Sequence, residues 1–202
     1  MNTLKSLTGM FIAGCMAGIS THANAESRFE TGSSTPVKAS ASLDFTIIVP
    51  KFVFLQVGTG ANLSDNGTVD NLVFSVPADH IGDGTPVSGA GTQVRARVLG
   101  NNDTITLSAT TLGPMKNGVG DTISYSDMNV AVAADTSTMV LAHPTLVDGS
   151  TTSINLPATG GKITDLDAKW TFTYRNNKVV PAGTYGGVNM QNGRVTYTVS
   201  MP

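Results

Sequence analysis

Cysteine is almost absent from this chain: Cys15 is the only one. A single thiol leaves no internal disulfide and no cysteine cluster to hold a metal. Charge is scarce too. Asp, Glu, Lys and Arg make up 13% of residues and the formal net charge is −2, which argues against a polyanion-binding surface, because such a surface needs a clustered basic patch. Arg95 and Arg97 come nearest to one; they share a parity of an expected strand and read as a solvated strand face. Long helical periodicity is missing as well. Short apolar runs alternate with Gly, Ser, Thr and Asn, the pattern of an all-β protein with many turns.

Catalytic signatures are missing. No serine sits in a G-x-S-x-G elbow, and the glycine clusters do not follow a phosphate-cradle pattern. His80 and His143 stand alone beside turn or proline residues, without the paired spacing of metal ligands, and read as surface loop residues. Asp65, Asp70, Asp83, Asp103, Asp165 and Asp167 read as turn residues, too sparse for a calcium loop. No catalytic residue, metal or cofactor is expected, and no nucleic acid partner. Trp170, the sole tryptophan, alternates with Phe172 and Tyr174. That spacing suits a core strand better than a sugar-stacking platform.

The chain opens on an export signal. Lys5 supplies the positive start, 7–19 is mostly apolar, and Ala23-Asn24-Ala25 is a small-x-small cleavage pattern. Cleavage between Ala25 and Glu26 leaves a mature chain of 26–202 without a membrane span. A competing reading takes Ile12-Ala13-Gly14-Cys15 as a lipobox, with Cys15 lipidated and the protein anchored to the envelope. Residues 26–42 are small and polar, an extended or mobile arm. The domain is expected over 43–202. Within it, 43–57 is the most apolar stretch, and Pro50 divides it into two short strands. Further strands are expected at 71–76, 94–99, 104–109, 122–133, 137–146, 153–156, 169–175 and 194–201. The pair 94–99 and 104–109 reads as a hairpin, with Val94, Ala96 and Val98 on one face and Ile105 and Leu107 on the matching one. Eight or so short strands with frequent turns suggest a β-sandwich.

The W-x-F-x-Y strand from Trp170 to Tyr174, the run Pro181-Ala182-Gly183-Thr184-Tyr185 and the alternating strand that follows resemble pilin subunits of the bacterial chaperone–usher pathway, nearest to the alpha and archaic-like branches. The leading region 43–57 is similar in kind. The resemblance implies an immunoglobulin-like sandwich lacking its final strand. It also implies a periplasmic chaperone that lends a strand, an outer-membrane usher, and neighbouring subunits whose N-terminal extension replaces the lent strand in a surface fibre. A missing strand would leave four or five apolar positions uncovered, on the order of 6–15 kcal/mol, as much as the net stability of a domain. On this resemblance Val195, Tyr197, Val199 and Met201 line one side of an acceptor groove. Phe45, Ile47 and Val49 line the other, and the donor strand lies in 26–42 with Phe29, Val37, Ala39 and Ala41 on one parity. The sequence departs from the pattern in two places. Only Phe29 and Val37 are large in that arm, with Pro36 interrupting it, and the disulfide of many pilins is absent. Two other functions stay open: a self-complete exported binding module with loops 77–92 and 111–120 as its surface, and the lipid-anchored envelope protein.

Overall fold

The computed structural model describes residues 26–33, 36–89, 91–137 and 139–202. The expected export signal, with Cys15 and Ala25, lies outside the described residues. The chain divides into two units, Met1–Val49 and Pro50–Pro202, so the boundary falls seven residues later than the composition shift at 42/43 suggests. The described part of the first unit, from Glu26 onward, contains no strand or helix and is exposed almost throughout.

The second unit is an all-β sandwich of antiparallel sheets, with no α-helix among the described residues. Its strands are β1 (Val53–Val57), β2 (Gln93–Gly100), β3 (Ile105–Thr111), β4 (Met115–Lys116), β5 (Thr122–Ile123), β6 (Met128–Ala133), β7 (Thr151–Leu156), β8 (Thr164–Tyr174) and β9 (Val195–Ser200). One sheet runs β1-β2-β8-β6, the other β7-β3-β9, and β4-β5 is a small separate ladder. Alternation decides the faces. Val94, Ala96 and Val98 of β2, Ile105, Leu107 and Ala109 of β3, and Leu166, Ala168, Trp170 and Phe172 of β8 are buried in one cluster.

The expected hairpin is not one. β2 pairs with β1 and β8, whereas β3 pairs with β7 and β9. The parity of both strands is as expected, but the short link 101–104 carries the chain from one sheet to the other. The reason lies in the faces themselves. Both are wholly apolar, and two such faces cover each other better across a sandwich than side by side in one sheet. Gly100 permits the tight crossing, since a Cβ there would stand 2.6 Å from Ile105 Cδ1.

Three other expectations change. β8 begins at Thr164 rather than at 169, because Asp165 and Asp167 are strand residues with their charges satisfied. Arg97 Nη2 lies 3.0 Å from Asp165 Oδ1 in the next strand. Asp167, 2% exposed, accepts from the backbone N–H of Ser137 at 2.9 Å and from the backbone and hydroxyl of Thr136. The arginine face is thus a cross-strand ion network, with Arg95 and Lys169 both reaching Asp135. Of the expected strand 137–146, the described residues form no strand beyond a bridge from Val140 to Asp167. Finally, 43–49 joins no sheet, and the first strand starts at Val53.

Candidate functional site

β1 and β9 are the terminal strands of their two sheets. Among the described residues, each therefore keeps one edge that no strand pairs. After β1 the chain turns out at Gly58 and makes a loop. Thr59 closes that loop by donating from its N–H and hydroxyl to Asp70 Oδ2, at 2.6 and 3.0 Å. The chain then resumes as 71–76, NLVFSV. This stretch alternates half-buried Leu72, Phe74 and Val76 with exposed Asn71, Val73 and Ser75. It has the pattern of a strand but pairs with none among the described residues.

Between 68–76 and the start of β9 lies an open groove of about 760 Å³. Its floor is the core itself: Val94, Phe172, Tyr125 and Leu146 are buried and still line it. Val195 and Tyr197 form the β9 wall, and Leu72, Phe74 and Val76 the opposite one. Val199 and Met201 continue the inward parity of β9 and pack half-buried against the same core cluster. One end is built by 180–193. There Gly193 lies backbone to backbone on Gly187, where a Cβ would meet Gly187 N at 2.3 Å. The Tyr125 hydroxyl donates to Asn192 O at 2.7 Å, and burial, with Asp148 nearby, pushes that phenol up to about 12. Tyr185 Oη donates to Pro181 O at 2.8 Å, so the Pro-Ala-Gly-Thr-Tyr run forms a closed turn at the groove mouth. Tyr174 also lines the groove, and its buried hydroxyl has no hydrogen-bond partner among the described residues.

Of the two proposed walls, the structure places Val195 and Tyr197 at the groove. Phe45, Ile47 and Val49 instead stand in extended chain outside every strand, 83, 87 and 73% exposed. The wall facing β9 is 71–76, whose alternation was legible but whose lack of a partner was not. Phe29, Val37, Ala39 and Ala41 are likewise exposed and outside any strand, as is Glu26.

His143 is the residue most misjudged from sequence. Far from being a surface loop histidine, it packs edge-on against Trp170 and Phe172, with ring centroids 4.6 and 5.4 Å away. Its Nε2 lies 2.7 Å from Tyr197 Oη. Desolvation lowers its pKa to about 4, and burial raises that of Tyr197. Both are neutral near pH 7, and the pair fixes the groove-facing β9 to the core. His80, by contrast, is half-exposed with Nδ1 2.7 Å from Asp83. Trp170 is fully buried and donates Nε1–H to Leu141 O at 2.9 Å. Among the described residues no group of three or more His, Cys, Asp or Glu could hold a metal, and no helix is long and apolar enough to cross a membrane.

No family model, no curated protein and no solved structure matches this chain.

Proposed function

We propose that this chain is a non-catalytic structural subunit of a bacterial surface fimbria, an immunoglobulin-like sandwich completed by a strand from outside. The observation that carries this reading is the groove. An apolar core floor lies open between β9, with one unpaired edge, and 71–76, a strand-like segment without a ladder. A strand laid there would supply backbone partners to the open edge and cover half-buried Leu72, Phe74, Val195 and Tyr197 at once. Main-chain pairing gives such a complex affinity, and alternate side chains give it specificity. The resemblance of the W-x-F-x-Y and P-A-G-T-Y stretches to chaperone–usher pilins supports the same assignment. With it come export to the periplasm, a chaperone, an usher and neighbouring subunits as partners.

A self-complete binding module would need this flank shielded. The open floor favours the fibre subunit over it.

The test is export of the chain with and without the chaperone encoded by the same organism. Expected are chaperone-dependent recovery and a ladder of oligomers in SDS that collapses on heating. Hydrogen exchange should be fast at β9 and 71–76 in the monomer and slow in the assembled form. A stable monomer, independent of chaperone and with β9 amides already protected, would overturn the proposal.

A further inference from the structure

Asparagine stands directly before glycine three times in this chain, at Asn66, Asn117 and Asn192. Such a pair can react with itself. The glycine amide nitrogen attacks the asparagine Cγ, Nδ2 leaves as ammonia, and a succinimide ring remains. Water then opens the ring at either carbonyl, leaving aspartate or isoaspartate. Glycine favours the attack because it has no Cβ and its backbone turns freely.

The fold treats the three pairs differently. Asn192 is held on several sides: its Nδ2 donates to Pro114 O at 3.1 Å, and its carbonyl accepts from the Tyr125 hydroxyl. The nucleophile there, Gly193 N, already donates to Met190 O at 2.8 Å. At Asn117, Nδ2 donates to Asp121 Oδ2 at 2.7 Å, and Oδ1 accepts from Val119 N and Asp121 N at 3.1 and 3.0 Å. A Cβ on Gly118 would stand 2.7 Å from the Gln191 side-chain amide, so that turn is packed as well as bonded.

Asn66–Gly67 is the least restrained. Residues 61–70 are all exposed. Apart from its chain neighbours, no atom lies within 4 Å of where a Gly67 Cβ would stand. Gly67 N has no hydrogen-bond partner among the described residues. Thr68 N donates to Asn66 Oδ1 at 3.0 Å, which draws the side-chain amide across Gly67 and stabilises the charge that develops on Oδ1 under attack.

Asn66 also holds its loop. Its Nδ2 donates to Thr59 O at 2.8 Å, while Thr59 N and hydroxyl hold Asp70 Oδ2. Thr59 is thus clasped from both sides, directly before 71–76 begins. Aspartate at 66 would set an acceptor against the Thr59 carbonyl in place of a donor. Isoaspartate would also lengthen the main chain by one methylene. Either change undoes half of the clasp on a segment that lines the groove.

We propose that Asn66–Gly67 is a self-modification site, and that its conversion to aspartate or isoaspartate frees the loop that holds 71–76 in place. The only co-reactant is water, and the reaction is independent of what fills the groove.

The test holds the exported chain in warm, mildly alkaline buffer and maps its peptides by mass spectrometry, with an isoaspartyl methyltransferase to mark isoaspartate. Conversion should concentrate at Asn66 and leave Asn117 and Asn192 nearly intact. Gly67→Ala, for which the site has room, should lose most of it. Asn66→Asp should lower Tm by about 2–4 °C, as expected for one lost loop hydrogen bond, and should speed limited proteolysis within 58–76. No conversion at Asn66, or conversion led by Asn117 or Asn192, would overturn the site. Conversion at Asn66, with Tm and cleavage unchanged by Asn66→Asp, would overturn its effect on the loop.

Discussion

The sandwich has two flanks, and only one is closed. Between β6 and β7 the chain crosses from sheet to sheet. Leu141 N–H donates to Asp167 O at 3.0 Å on the first sheet. On the second, Thr111 Oγ1 donates to Val147 O at 2.6 Å, and the Thr152 hydroxyl donates to Thr145 O. The described residues of this crossing form no helix or named strand, yet Leu141, Pro144 and Leu146 are buried in it. The other flank, between 71–76 and β9, has residues of the same apolar kind, but Leu72, Phe74 and Val195 remain half-buried. Irregular chain seals one flank, while strand-like chain leaves the other open. Closure thus depends on whether a segment lies across the gap and has its polar groups satisfied, not on how regular that segment is.

Substitutions should separate the flanks. The largest effect is expected at the closed one. Trp170→Ala removes a fully buried indole and leaves Leu141 O without its donor, a loss of about 3–5 kcal/mol, measured by urea denaturation. Leu141→Ala should cost about 2–5 kcal/mol whether or not the groove is filled. Val195→Ala on the open flank should cost roughly 1 kcal/mol in the monomer, because a half-buried methyl pair loses little. Its cost should rise in the assembled form. Equal costs in both forms would mean that the open flank is never covered.

The next prediction concerns acid. The folded His143 ring takes its proton only near pH 4, the unfolded one near 6.5. Stability should therefore be full above about pH 6.5 and fall as the pH drops from there through 4, by roughly 3 kcal/mol. His143→Gln should flatten that part of the Tm–pH curve; an unchanged slope would place the titration elsewhere.

Asp167, on the closed flank, has the opposite balance. Desolvation pushes its carboxyl up, but hydrogen bonds from Thr136 and Ser137, and the charge of Arg95, outweigh it and hold the pKa below the usual value. Its contribution is present above the ordinary aspartate range near 3.9 and lost as the pH falls through the lowered folded pKa. Asp167→Ala should cost about 1–3 kcal/mol at pH 7 and remove this carboxylate's own share of the acid dependence. An equally small effect is expected at the crossing between sheets. Gly100→Ala must displace the tip of Ile105, costing about 1 kcal/mol.

How much of this was legible depends on the kind of information each residue carries. Faces were legible. A strand's side chains alternate with period two whatever lies beside it, so Trp170, Phe172 and Tyr174, the inward set of β2 and β3, and the inward set of β9 could be read directly. Partners were not, because pairing depends on which apolar face covers which across the core. That is why β2 and β3 looked like a hairpin and lie in different sheets. The start of β8 was hidden for a related reason. Asp165 and Asp167 look like turn residues until Arg97 and the Thr136–Ser137 backbone stand beside them. The Arg95-x-Arg97 alternation was the available signal, since a strand with two cations on one parity invites a neighbour with acids at the same spacing. No such signal marked His143. Its role comes from a crossing segment that no local pattern specifies.

By itself, then, the sequence determined the class of the fold, the absence of disulfides, and which side chains of each strand face inward, because these follow from composition and from a period built into the extended backbone. The tertiary structure alone decided which strands share a sheet and which flank is sealed. It also decided that 71–76 lines a groove while 43–49 joins no sheet among the described residues. Those outcomes depend on the meeting of segments far apart in the chain, where burial and hydrogen bonding are settled jointly.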